Sequence, residues 1–291
     1  MADNHAMNYR FLTSADFSAL YKAYLDAFSD YIVDLRMSEQ QLERTMIQNG
    51  VRFDFSVGAF DGDRMIGFTV NGFDLWGGQP TAYDSGTGVS PTHRRRGIAG
   101  ELFNFMLPQL KKLGVRQYLL EVITSNEPAV NLYRKLGFRE TRKLAVLKLD
   151  APLKPAQTAS ENAVTIRDIA KPDWRLFQSF WDGQPSWQFS VESIARSVTQ
   201  KIFLGAFVGD GCVGYAVASP VSGTIFQLAV DKAHRRKGIA SLLLATLQAR
   251  VETEQPLKIN NLDYSLEGTQ AFCAAAGFKL VLNQFEMEKS L

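Results

Sequence analysis

Arg94-Arg95-Arg96-Gly97-Ile98-Ala99 is the stretch whose reading decides the fold. It follows a run that reads as a strand, Thr81 to Val89, and opens a run that reads as a helix, Gly97 to Lys112. The first backbone N–H groups of a helix have no intrahelical partner, and the helix dipole favours negative charge there. A basic turn at that place suits a phosphate. Gly97 lacks a Cβ, so the backbone can come close to a ligand. The stretch returns 141 residues later as Arg235-Arg236-Lys237-Gly238-Ile239-Ala240. Other landmarks recur with it: Val230 answers Val89, and Gly277-Phe278 answers Gly137-Phe138. An internal duplication accounts for all three.

Working outward, the first half reads strand, helix, helix, hairpin, strand, turn, helix, strand, helix, strand. Asn8 to Leu12 is extended, and Phe17, Leu20, Tyr21, Tyr24 and Phe28 follow at helical spacing. Ser38-Glu39-Gln40-Gln41 is a capping box before a second helix ending near Gly50. Asp61-Gly62-Asp63 joins two strand-like runs. Gly86 and Gly88 weaken the strand before the turn but admit close backbone approach. Gln117 to Ile123, Asn126 to Leu136 and Phe138 to Leu149 complete the half as strand, helix and strand. The second half repeats this order from Val164 to Met287. The expected fold is α/β (α+β): two tandem domains, 1–150 and 163–291, each a mixed, mostly antiparallel sheet flanked by helices, with 151–162 as a linker.

The chain has 291 residues and 46% hydrophobic content, enough for a core in each half. A formal net charge of +2 argues against a nucleic-acid-binding face. The cysteines, Cys212 and Cys273, and the histidines, His5, His93 and His234, show no metal-ligand spacing, so no metal is expected. Neither a signal peptide nor a membrane-length apolar run is evident, and the expected setting is the cytoplasm.

The pattern Val89-Ser90-Pro91-(x2)-Arg94-Arg95-Arg96-Gly97-Ile98-Ala99 resembles the acetyl-CoA-binding motif of the GNAT superfamily, the Gcn5-related N-acetyltransferases. So does Asn126-(x2)-Ala129-(x2)-Leu132-Tyr133-Arg134-Lys135-Leu136-Gly137-Phe138. The resemblance implies that acetyl-CoA is the cofactor. It assigns Thr87, Gly88 and Val89 to the pantetheine arm and acetyl group. It assigns Arg94, Arg95, Arg96, Gly97, Ile98, Ala99 and Gly100 to the pyrophosphate, with Asn126 as a further contact. In the second copy the matching positions are Leu228, Ala229, Val230, Arg236, Lys237, Gly238, Ile239, Ala240 and Ser241. A strand splayed from its neighbour would offer the open edge that an amide-rich arm needs, and Gly86 and Gly88 are candidates for that splay.

Acetyl transfer to an amine needs a base for the ammonium proton, donors for the oxyanion and an acid for the thiolate. Glu121 interrupts the apolar run Tyr118 to Ile123; from the residues alone it is either a buried base or an edge residue facing water. Its spacing to Tyr133 resembles that of the alanine N-acetyltransferases of ribosomal proteins, which implies Glu121 as base and Tyr133 as acid. Asp84 is a second candidate base or an amine-recognition residue. Counted back from Gly277, the second copy has Asn261, Cys273 and Leu266 where the first has Glu121, Tyr133 and Asn126. The second domain therefore reads as degenerate, with its basic turn kept. The acceptor is a small-molecule amine or a peptide N-terminus, met by acids and aromatics in 28–37 and 71–83, and the chain acts as a monomer or homodimer. The competing reading is an acyl-CoA-binding sensor without turnover; a nucleic-acid-binding module built on the arginine runs ranks below it.

Overall fold

The computed structural model describes residues 7–151, 153, 164–252 and 255–291. The expected linker, 151–162, lies outside the described residues apart from Ala151 and Leu153. In chain order the first half holds β1 (Asn8–Phe11), α1 (Phe17–Ala27), α2 (Glu39–Asn49), β2 (Val51–Asp61), β3 (Arg64–Trp76) and β4 (Gln79–Val89). Then come α3 (Ile98–Lys112), β5 (Gln117–Ile123), α4 (Glu127–Lys135) and β6 (Arg139–Leu149). The second half holds β7 (Thr165–Asp168), α5 (Trp174–Ser179), α6 (Val191–Arg196), β8 (Ile202–Val208), β9 (Gly211–Ala218) and β10 (Thr224–Val230). It ends with α7 (Ile239–Gln248), β11 (Leu257–Asp263), α8 (Glu267–Ala276) and β12 (Lys279–Ser290).

Local rules account for the helices that frame the turns. The Ser38 capping box forms as read, with Gln41 N–H donating to Ser38 Oγ at 3.2 Å and Ser38 N–H donating to Gln41 Oε1 at 2.7 Å. Gly50 ends α2 in the left-handed region. Ile98, Leu102, Phe103, Met106 and Leu110 put one apolar stripe of α3 against the sheet. Ile239, Leu243, Leu244 and Leu247 do the same for α7.

Two compact units result, and they do not break at residues 150 and 163. The first comprises the described residues up to Thr141 with Ala195–Val198 and Phe285–Leu291; the second comprises Arg142–Ile194 with Thr199–Gln284, so far as these are described. The strand order in the first unit is β1-β2-β3-β4-β5-β12, and in the second β7-β8-β9-β10-β11-β6. β1–β2–β3–β4 and β7–β8–β9–β10 run antiparallel, as does β11–β6, whereas β4–β5 and β10–β11 are parallel. The closing strands are exchanged between the halves. Ala145, Leu147 and Leu149 of β6 are buried in the second unit's core, and β6 pairs with β11 at Leu149–Leu257. Met287 of β12 is fully buried in the first unit's core, and the Leu291 N–H donates to Arg116 O at 2.9 Å. β6 and β12 thus each close the sheet of the unit that the other half mainly builds. Among the described residues no helix is long and apolar enough to cross a membrane.

Met287→Ala is expected to destabilise the chain by about 2–5 kcal/mol, read as a lower urea midpoint. A loss under about 0.5 kcal/mol, the range of surface substitutions, would contradict the placement of β12 in the first core.

Candidate functional site

The site begins where β4 leaves β5. The two pair in parallel at Thr81–Gln117, Ala82–Tyr118 and Tyr83–Leu119, and the pairing stops there although β4 continues to Val89 and β5 to Ile123. A bulge lies at the parting. Val70 faces Gly86 and Asn71 faces Asp84, so Ser85 is the extra residue. A bulge bends its strand and increases its twist. The Gly86 N–H donates to Asp84 Oδ1 at 2.9 Å, which holds the bend from within. Gly88 has another reason to be glycine: a Cβ there would lie 2.8 Å from the Ala27 Cβ and 2.9 Å from the Phe68 ring, so its bareness lets α1 sit against the sheet. The second unit repeats the device in register. β10 and β11 pair only at Thr224–Lys258 and Ile225–Ile259, and Phe226 is the extra residue.

At the far end of each splayed strand the turn has one backbone shape in both units. Arg95 and Arg236 each adopt φ 62°, and the N-caps Gly97 and Gly238 adopt φ 79° and 77°. A left-handed non-glycine residue is strained and persists where the surroundings fix it. Neither N-cap glycine offers a side-chain oxygen, so the first N–H groups of α3 and α7 stay directed out of the helix. Successive N–H groups in such a turn make an anion-binding concavity. The residues therefore fit a pyrophosphate group.

The first arginine of each turn has a different task from the one expected of Arg94. Its Nε donates to Val89 O at 3.2 Å, its Nη2 to Ala27 O at 2.8 Å, and both terminal nitrogens donate to Asp30 at 2.8 and 2.7 Å. Arg235 repeats this on Val230 O at 3.1 Å, Phe180 O at 2.8 Å and Asp182 at 2.7 Å. Each guanidinium thus ties the strand end to the end of the unit's first helix. Arg95 and Arg96, exposed in the first turn, and Arg236 and Lys237 in the second carry the remaining cationic heads.

Inside the first splay lies a buried polar cluster on the face that α3 and α4 cover. Asp84 is buried there. The Thr87 hydroxyl donates to its Oδ2 at 2.8 Å, and the Tyr133 hydroxyl donates to the same oxygen at 3.5 Å. Burial pushes the Asp84 carboxyl up to about 6, against the lowering effect of these donors and the Gly86 N–H. Burial, and then the neighbouring Asp84, raise the Tyr133 phenol well above its ordinary value. Thr69 lies 2.9 Å from the Thr87 hydroxyl, and the Tyr118 hydroxyl donates to Asn71 Oδ1. Glu121 sits between Leu120 and Val122, whose side chains join the α3–α4 core, so its own points to the other face. There the Tyr83 hydroxyl donates to Glu121 Oε2 at 3.2 Å. Tyr133 is thus brought to Asp84, and Glu121 to Tyr83. Asn126 caps α4 and donates from Nδ2 to the Tyr31 hydroxyl at 3.2 Å.

Thr69, Asn71 and Tyr118 were not singled out from sequence as site residues, whereas Tyr31 and Tyr83 were read as aromatics of the acceptor region. Strand alternation places Thr69 and Asn71 on one face of β3, but only the register of β3 on β4 shows that they meet Thr87 and Asp84.

The second unit replaces the cluster wholesale. By strand register and helix position, Thr69, Asn71, Asp84, Thr87, Tyr118 and Tyr133 become Ala216, Ala218, Ile225, Leu228, Leu257 and Cys273. Burial pushes the Cys273 thiol up to about 12, which leaves it protonated and inert. Leu266 keeps the N-cap backbone of Asn126 (φ −83°, ψ 68° against φ −83°, ψ 66°) but has no capping side chain. The match of Glu121 is displaced by a bulge in β11, where Asn261 adopts φ 57°. Register from the strand start lands on Asn260, and counting back from Gly277 lands on Asn261; neither is a base. A cavity of about 500 Å³ opens in this unit, lined among others by Leu228, Ala229, Val230, Arg236, Gly238 and Cys273. Among the described residues no group of three or more His, Cys, Asp or Glu side chains could hold a metal ion.

The Asp84 shift sets a stability slope. Its folded value, about 6, lies above its unfolded value near 3.8, so the folded state holds the proton more tightly. Stability therefore falls as the pH rises from about 4 to 6, by on the order of 2–3 kcal/mol, and the cost is fully present above that window. Urea unfolding at pH 4.5 and pH 7 should show this component in the native chain and not in Asp84→Asn. Equal slopes in the two proteins would contradict the burial of an ionising Asp84.

Comparison with known proteins gives two family matches. The acetyltransferase (GNAT) family matches residues 17–138, and an acetyltransferase (GNAT) domain matches residues 199–280; together they cover more than half of the chain. The chain is 32% identical over 92 residues to N-alpha-acetyltransferase 30 of Schizosaccharomyces pombe, covering 31% of this chain and 61% of that protein. It is 40% identical over 52 residues to the [Ribosomal protein bS18]-alanine N-acetyltransferase of Escherichia coli, covering 18% of this chain and 35% of that protein. The match thus spans less than two thirds of either relative. Among solved structures, a tandem GNAT protein from the clavulanic acid biosynthesis pathway superposes with a TM-score of 0.75 at 17% identity, covering 98% of each chain. A GCN5-related N-acetyltransferase from Sphaerobacter thermophilus gives 0.73 at 16% identity, covering 98% of this chain and 95% of that one. At these identities the structural matches speak for the fold.

Proposed function

The chain belongs to the acetyltransferase (GNAT) family, with two GNAT domains in tandem, and from that premise we propose that its first unit transfers an acetyl group from acetyl-CoA to a primary amine. One observation carries the reading. The splayed strand and the phosphate-type turn occur in both units, whereas only the first places a carboxylate and a tyrosine together inside the splay.

In this reading the N–H groups at the start of α3, with Arg95 and Arg96, hold the pyrophosphate, and the open edge of β4 from Thr87 to Val89 receives the pantetheine amides. Acetyl-CoA supplies the thioester. Glu121 takes the proton from the attacking amine, and a strand-end N–H, Val89 being the candidate, polarises the acetyl carbonyl. Tyr133 gives its proton to the departing thiolate. Asp84 holds the Tyr133 hydroxyl and sets its direction, and when ionised it adds negative charge that attracts an ammonium acceptor. Tyr83, bonded to Glu121, fixes the base on the other face. Relatives named as N-alpha-acetyltransferases and a streptothricin acetyltransferase from Streptomyces lavendulae point to two acceptor classes, peptide N-termini and small amines. Acids and aromatics around Asp30, Tyr31 and Tyr83 suit either one.

The second unit is read as a domain that keeps the donor frame and has lost the transfer chemistry. Asn260, Asn261 and a protonated Cys273 offer neither a base nor an acid of useful strength.

The test is an acceptor screen with acetyl-CoA, following free thiol release over N-terminal peptides and a panel of amines. Turnover is expected with at least one class. Tyr133→Phe should lower kcat by about 10²-fold or more, while Cys273→Ala leaves it unchanged. Binding of acetyl-CoA with no turnover across the panel would favour a sensor over an enzyme.

A further inference from the structure

We propose that the second unit binds an acyl-CoA whose acyl group is a longer aliphatic chain, and holds it without transfer. The inference rests on the CoA reading of the turn given above and extends it to the chemistry of the acyl group.

The two units differ in what stands at the parting of their strands. In the first unit that space is filled by aromatic rings and closed by polar groups. Phe103 and Tyr133 pack at 5.7 Å between centroids and 80° between planes, and Phe138 meets both. Asp84 and Thr87 line the remainder with oxygen.

In the second unit the same positions shrink and lose their oxygen. By helix position Phe103 becomes Leu244 and Tyr133 becomes Cys273; Asp84 becomes Ile225 and Thr87 becomes Leu228. All four replacements line the cavity of about 500 Å³ that also reaches the turn at Arg236 and Gly238. One connected space therefore runs from a phosphate-type turn, past an open strand edge, to a floor of hydrocarbon and an inert thiol. A volume of that order suits a small-molecule site. The four replacements, Ile225, Leu228, Leu244 and Cys273, bring no oxygen or nitrogen to meet an acetyl oxygen or an amine, while Tyr215, Gln227, His234, Asn260, Asn261 and Asp263 form the polar part of the lining. An extended aliphatic chain is the occupant that gains from such a floor, since each methylene buried there improves affinity by about fourfold.

Equilibrium titrations of the full chain with CoA, acetyl-CoA and hexanoyl-CoA test the proposal. Two molecules should bind per chain, and at one site hexanoyl-CoA should bind at least tenfold more tightly than acetyl-CoA. Leu244→Phe, which restores the residue of the first unit, should remove that preference and leave CoA affinity at the site unchanged. Cys273→Phe serves the same purpose if the first variant does not fold. Equal affinity for all three ligands at the second site would overturn the acyl-chain inference while leaving the CoA reading in place. No binding of any of them beyond one equivalent per chain would overturn the CoA reading of the second turn itself.

Discussion

Strand β4 parts from β5 after Tyr83, and the rest of the structure follows from that parting. Parallel pairing that stops after a few residues leaves backbone N–H and C=O groups without ladder partners on both strands. Such an edge is a liability unless something is meant to pair with it. The bulge at Ser85 makes the parting, and the Asp84 carboxylate stabilises the bulge by accepting the Gly86 N–H. The residue that shapes the opening is therefore also the residue placed inside it. Its ionisation is opposed by burial and supported by Thr87 and Tyr133, so the shape of the strand and the electrostatics of the site share one carboxylate.

The second unit shows which parts of this arrangement are separable. It keeps the bulge, the left-handed arginine, the N-cap glycine and the arginine tie from strand end to helix end. It lacks the carboxylate, the tyrosine and the threonines. The frame does not need the chemistry: Phe226 occupies the bulge where Ser85 does, with no carboxylate beside it. What differs is the interior, a polar cluster among aromatic rings in the first unit and a cavity with Ile225, Leu228, Leu244 and Cys273 at the matching positions in the second. Hydrocarbon at these positions is the outcome favoured for buried side chains that have no polar task.

Much of this was legible in the sequence. The turns, the duplication and the element order rest on local signals: glycine at a positive φ, apolar periodicity and capping residues. Arg94 read as a phosphate contact because an arginine beside an N-terminal glycine looks like one; its tie to Ala27 and Asp30 joins residues over sixty positions apart. The exchange of β6 and β12 rests on which distant strand each one pairs with, and local periodicity does not carry that. The meeting of Tyr133 with Asp84 rather than Glu121 depends on which face of a strand a side chain takes. Parity gives that only once the register is fixed. The bulge at Asn261 shifted the count across β11 by one, which gap-free counting cannot detect.

The central claim is that each unit has a donor frame and that only the first unit's frame serves the transfer. Matched variants at the two N-cap glycines test it most directly. Asp tolerates the left-handed conformation better than most residues, and its carboxylate repels a phosphate at the helix start. Steady-state acetyl transfer should be lost in Gly97→Asp and should keep its native kcat in Gly238→Asp. Equal losses in the two variants, or a loss confined to Gly238→Asp, would contradict the account.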